Sequence, residues 1–221
     1  MTASYVDREE AGRILAYELQ TRKLENTPLV LAIPNGGLAV AIPIAQTLRA
    51  KLDLLIVRKL QIPYNPEAGF GAITSLGTII FNKPLVARIG LNQDQINSVV
   101  ERTRAQIDNR KQEYEGLVGH YSPEGKIVIL VDDGLASGYT MLAAIQSVRN
   151  LKPCKILVAI PTASASAVSL ICDEVDDFIC PHIDSGYVFA VADAYENWYD
   201  VSELEVIELL RSIRQQKKES D

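Results

Sequence analysis

The 221-residue sequence predicts a doubly wound α/β fold on a mostly parallel sheet. Short unbroken apolar runs closed by turn residues read as strands buried on both faces. Segments of helical period lie between them, and the regular alternation of the two is what a parallel sheet with helices on both faces requires. No internal repeat, low-complexity tract or linker interrupts the chain, so residues 1–221 are expected to form one domain.

Asp7 followed by Glu10 has the form of a capping box, and Ile14, Leu15 and Leu19 recur at helical spacing, which predicts a first helix over about Arg8–Arg22. The run Leu29–Pro34 is a buried strand ending in Asn35-Gly36-Gly37. A helix is expected over Leu38–Leu52, provided Pro43 falls in its first turn. DLLIVRKL then reads as a second strand. From Gln61 to Lys83 the Pro, Asn and Gly content predicts a mobile loop followed by a hairpin of GAITS and TIIFN around Leu76-Gly77. Ile96, Val99, Val100, Thr103 and Ile107 share one face of a long polar helix reaching about Glu115. Three more strands, Lys126–Val131, Lys155–Ile160 and Asp177–Cys180, alternate with helices over Thr140–Asn150 and Ala163–Asp173.

Composition narrows the function classes. With 48% hydrophobic and 23% charged residues, disordered, collagen-like and disulfide-scaffold classes fall away. A formal charge of −6 without a dense basic run disfavours a nucleic-acid partner. Cys154, Cys172 and Cys180 are odd in number and lack C-x-x-C spacing, so they read as reduced thiols rather than a zinc site or disulfide framework. The N-terminus has no signal-peptide pattern, and no apolar run approaches the ~18 residues of a membrane span. A cytoplasmic protein without a membrane partner is expected.

In an open α/β sheet ligands bind at the carboxyl ends of the strands. The loop after one strand, ILVDDGLASGYTM, holds Asp132 and Asp133, then Gly134, Leu135, Ala136, Ser137, Gly138, Tyr139 and Thr140. Glycines let the backbone curl around an anion, helix-start N–H groups point at it, and hydroxyls add hydrogen bonds. The G-x-x-x-x-G-K-[ST] pattern is absent, which excludes a P-loop. Paired carboxylates beside an anion site make sense if they accept hydrogen bonds from sugar hydroxyls or meet a divalent ion.

VDDGLASGYT resembles the 5-phosphoribosyl 1-pyrophosphate (PRPP) motif of type I phosphoribosyltransferases. The resemblance extends to a subgroup of bacterial and archaeal members through Asp7-Arg8 with Ala11-Gly12, Arg58-Lys59, Asn65-Pro66-Glu67 and the segment Tyr199–Val206. It implies a type I phosphoribosyltransferase-like core over about 27–184, a small hood from 1–26 and 185–221, and a flexible hairpin loop. By the same likeness Asp132 and Asp133 hold the ribose and act in catalysis with Lys59, and residues 134–140 hold the 5-phosphate. Asn35, Gly36, Gly37, Arg58 and Lys59 hold pyrophosphate, with Arg58 and Lys59 alternating so that one of them faces the site. Mg²⁺ is implied as the cofactor, travelling with PRPP and within reach of Asp132 and Asp133. The implied reaction transfers the phosphoribosyl group to an unidentified acceptor, and a homodimer is common in the family. Asn35 stands where the subgroup has Arg, which raises a PRPP sensor without turnover as the alternative, and Tyr139 stands where a small residue is usual. A phosphosugar hydrolase or isomerase using the two aspartates is a further reading. His120 and His182 read as structural, and Tyr195, Trp198 and Tyr199 read as packing anchors before a solvated helical face over Glu203–Glu219.

Overall fold

The computed structural model describes residues 4–186 and 188–220, excepting the side chains of 66, 67 and 216–220. A five-stranded sheet runs in the order β2-β1-β6-β7-β9, formed by Lys51–Leu54, Leu29–Ala32, Ile127–Val131, Lys155–Ala159 and Asp177–Ile179. Every neighbouring pair in it is parallel. Alternate side chains feed two cores, as a pleated strand dictates. Ile127, Ile129 and Val131 join a cluster with Leu15, Ile44, Val99 and Val206. Those residues come from α1 (Arg8–Gln20), α2 (Gly36–Thr47), α4 (Gln93–Glu113) and α7 (Glu203–Ser220). Val128 and Leu130 join Met141, Ile145, Ala167 and Ile171 on the opposite face, from α5 (Tyr139–Arg149) and α6 (Ala165–Ile171). The sheet is therefore wound on both sides.

Several segments differ from the sequence expectation. At α1 the Asp7 carboxylate accepts the Glu10 N–H at 2.8 Å, but Glu10 reaches back to the N–H of Val6 rather than Asp7. Helix α2 starts earlier, at Gly36, so Pro43 lies past the first turn. Its ring packs at a close crossing, where a Cβ on Gly12 of α1 would stand 3.1 Å from Pro43 Cγ and overlap the Val40 carbonyl. DLLIVRKL is two strands: after β2 the Leu55 N–H donates to Ala32, and β3 (Val57–Ile62) leaves for a second sheet. There it pairs antiparallel with β4 (Asn65–Thr74), which pairs antiparallel with β5 (Ile79–Phe81). The expected hairpin of GAITS and TIIFN is present in β4 and β5, whereas the loop expected before it from Gln61 is largely strand, in the end of β3 and the start of β4; α3 (Lys83–Ile89) follows. Residues 162–164 form β8 rather than helix, paired in parallel with β10 (His182–Asp184).

Candidate active site

Strands β1 and β6 are neighbours in register, Ala32 opposite Val131, so the loops leaving their carboxyl ends emerge side by side. A Cβ on Gly36 would fall on Asp133 Oδ2, and one on Gly37 would lie 2.9 Å from both the Asp132 Cα and the Val131 oxygen. A side chain at Gly37 would meet backbone and push the loops apart, which is the physical need for glycine there, whereas one at Gly36 would displace the Asp133 carboxylate and Arg8. The Pro34–Asn35 peptide bond is cis. Asp132 and Asp133 sit just beyond β6, where the Asp133 N–H donates to Asp132 Oδ1 at 2.9 Å. Burial first, and then the neighbouring Asp133 carboxylate, push the Asp132 pKa well above its ordinary value.

Asp133 is held by Arg8 and by Tyr195. Arg8 Nε donates to its Oδ2 at 2.8 Å, with the arginine side chain only 7% exposed. Arg8 Nη1 donates to the Tyr199 carbonyl at 3.0 Å, and the guanidinium lies 4.0 Å from the centre of the Trp198 ring. The Tyr195 hydroxyl donates to the Asp133 carbonyl at 2.6 Å. Tyr195 is buried, packs against Tyr5 and Trp198 at ring separations of 5.8 and 5.4 Å, and has its pKa raised chiefly by burial. It behaves as an anchor that joins the N-terminal segment to the loop.

The second half of the motif is braced by β8. The Leu135 N–H donates to the Thr162 carbonyl, the Ser164 N–H donates to the Leu135 carbonyl, both at 2.9 Å, and Ser164 Oγ donates to the Ala136 carbonyl at 2.7 Å. Leu135 is buried and its N–H is spent on β8, so within residues 134–140 it acts as a pin. Ala136 and Ser137 are exposed, and Gly138, at φ +78°, caps α5 without a side-chain hydrogen bond. The first N–H groups of α5, from Tyr139 and Thr140 onward, lack intrahelical partners and carry the positive end of the helix dipole.

Residues 5–190 match the family described as phosphoribosyl transferase domain. The chain belongs to this family. Phosphoribosyl transferase relatives include the Mycobacterium tuberculosis protein Rv0571c (strain H37Rv), provisionally named for that activity, at 32% identity over 92% of this chain. The alignment spans 46% of the curated relative, so this chain corresponds to about half its length. The crystal structure of TT1426 from Thermus thermophilus superposes with a TM-score of 0.77 at 30% identity, covering 96% of this chain and 99% of that one. Purine phosphoribosyltransferase from Pyrococcus horikoshii shares the fold, with a TM-score of 0.50 at 15% identity over 91% of this chain and 99% of that one.

Within this phosphoribosyl transferase fold the remaining candidates are placed unevenly. The Asn35 side-chain amide donates to the Val201 carbonyl at 2.7 Å, and its Oδ1 is buried without a partner among the described residues. Arg58 and Lys59 do alternate, half-buried and exposed. The charges acting on Arg58 are those of Arg110, Glu203 and Tyr114, and its pKa is lowered first by burial and then by Arg110. Arg110 Nη2 and the Tyr114 hydroxyl donate to Glu203 at 2.6 and 3.0 Å, tying α4 to α7, so Arg58 borders a structural network. Lys59 lies along Gly69 of β4. The Pro66 and Glu67 side chains lie outside the described residues. Sequence reasoning gave Arg8 no place in the site; the one signal available was that Asp7-Arg8 with Ala11-Gly12 is among the marks of the family resemblance. Among the described residues no group of three or more His, Cys, Asp or Glu could hold a metal ion, and no helix is long and apolar enough to cross a membrane.

Proposed function

We propose that this chain transfers the 5-phosphoribosyl group of PRPP to a nucleophilic acceptor and releases pyrophosphate. The observation that carries this reading is the juxtaposition, at the carboxyl ends of β1 and β6, of the Gly36–Gly37 loop, the Asp132–Asp133 pair and the start of α5. On this reading Asp132 and Asp133 accept hydrogen bonds from the ribose hydroxyls. Ser137, Thr140 and the N–H groups of residues 136–140 receive the 5-phosphate. The pyrophosphate lies over Gly36 and Gly37, with Lys59 and Arg58 as cations that β3 could bring to it. The bond from ribose C1 to pyrophosphate breaks as the acceptor's lone pair forms its own bond to C1, and the acceptor's proton passes to solvent or pyrophosphate.

The site's work is to stabilise a cationic sugar and a departing polyanion, for which fixed dipoles and charges matter more than a strong base. Mg²⁺, when bound, would neutralise the pyrophosphate. With no cluster beyond the two aspartates among the described residues, the ligand's own oxygens would supply most of its coordination. The core of about 27–184 would carry PRPP, and the hood formed from 1–26 and 185–221 would meet the acceptor.

A PRPP-binding protein of the same fold without turnover is the second reading, favoured by the Asn35 amide being turned to Val201. Incubation of the chain with PRPP, Mg²⁺ and a panel of nucleobases, orotate and small amines separates the two. Pyrophosphate release that depends on an acceptor supports transfer, PRPP binding without release supports the sensor, and acceptor-independent release of ribose 5-phosphate would favour a hydrolase.

A further inference from the structure

We infer that Arg8 of α1 is a further pyrophosphate-binding cation of this site, held in reserve by Asp133 until the ligand arrives. The inference rests on the phosphoribosyl-transfer reading and extends it to a residue outside the PRPP motif. Position 35 is uncharged, and its amide is committed to the Val201 carbonyl. Arg8 Nε, by contrast, lies 2.9 Å from where a Cβ on Gly36 would stand. A guanidinium thus already occupies the seam between the glycine loop and the acidic pair.

Charge balance supplies the reason for a reserve. A buried cation without a partner is costly, and so is a buried carboxylate. In the free protein Arg8 and Asp133 satisfy each other at 2.8 Å. PRPP offers both a replacement: ribose hydroxyls for the carboxylate and pyrophosphate oxygens for the guanidinium. Partner exchange therefore strands neither charge. The Tyr199 carbonyl and the face of Trp198 keep the guanidinium oriented while it changes partners, and a planar fork suits a polyphosphate better than an ammonium would.

Inorganic pyrophosphate tests this without acceptor or turnover, by calorimetry and by the emission of Trp198, the chain's one tryptophan. Arg8→Gln should weaken pyrophosphate binding about ten- to a hundredfold, the worth of a hydrogen bond to a charged group. Arg8→Lys should recover part of that loss. Asp133→Asn frees Arg8 and removes a repelling charge, so it should tighten pyrophosphate binding at least about threefold. The opposite signs are the discriminating result, because an ion pair that served only the fold would make both variants worse. The double variant Arg8→Gln with Asp133→Asn leaves no unpaired charge to unfold the site, and with the repelling carboxylate gone it should bind more tightly than Arg8→Gln yet still more weakly than the parent. Pyrophosphate should also shift Trp198 emission in the parent protein. Equal binding by the parent and the double variant, weakening by both single variants, or an unmoved Trp198 would each overturn the inference while leaving phosphoribosyl transfer intact. If the parent binds neither pyrophosphate nor PRPP, the functional reading itself falls, and this one with it.

Discussion

Asp132 and Asp133 are adjacent in sequence yet differ in environment. Asp133 meets Arg8 and lies under Tyr195, while Asp132 is half-buried and its pKa is shifted upward. The two halves of the motif should therefore separate by mutation. Replacing both aspartates with Asn removes charge and acceptor strength at constant size. The expected result is PRPP binding weaker by about ten- to a hundredfold, with bare phosphate binding unchanged or tighter. Ser137→Ala with Thr140→Ala removes hydroxyl donors worth about 1 kcal/mol each and should weaken both ligands. Calorimetry with PRPP and phosphate decides it. PRPP affinity that survives the Asn pair would remove the sugar role. Arg8 shows why some site residues stay hidden at this scale: its partner lies 125 positions away, and a lone arginine in a first helical turn has no chemical signature.

Helix α1 positions Arg8, and its seat on α2 depends on Gly12, whose missing side chain admits the Val40 carbonyl and the Pro43 ring. Gly12→Ala must push backbone rather than a flexible side chain, so we expect a loss of roughly 1–3 kcal/mol, the usual cost of overpacking, read as a lower urea midpoint. Ligand binding should fall as well, because α1 carries the arginine to Asp133. A variant as stable as the parent would show that the two helices can slide apart at no cost. Element type was largely legible from periodicity, since the buried runs at Leu29–Ala32, Ile127–Val131 and Lys155–Ala159 are strands as expected. The fate of DLLIVRKL was not. Whether an apolar run continues one strand or crosses to another sheet depends on where its N–H groups find acceptors, here Ala32 for Leu55 and β4 for β3.

The whole molecule stores the raised pKa of Asp132 as a pH dependence of stability. A carboxyl whose folded pKa lies above its unfolded value keeps its proton where the unfolded chain has already lost it. Its stabilisation is complete below the ordinary aspartate value near ~3.9 and is lost as the pH rises from there through the raised folded value. Asp132→Asn cannot titrate, so between pH 4 and neutrality the parent should lose urea stability relative to this variant as the pH rises. Parallel curves would mean that the surroundings of Asp132 have no consequence for folding. At this scale the division between sequence and structure is clear. By itself the sequence determined the alternation of strands and helices, and the dense motif from Asp132 to Thr140, because burial periodicity and phosphate-loop chemistry are local patterns of residue type. Only the tertiary structure decided that Gly36 abuts Asp133, that Leu135 is pinned to β8, that Asn35 turns to Val201 and that Arg8 completes the acidic pair. Those are contacts between distant segments, fixed by strand order and helix packing, and neighbours along a chain do not encode neighbours across a sheet.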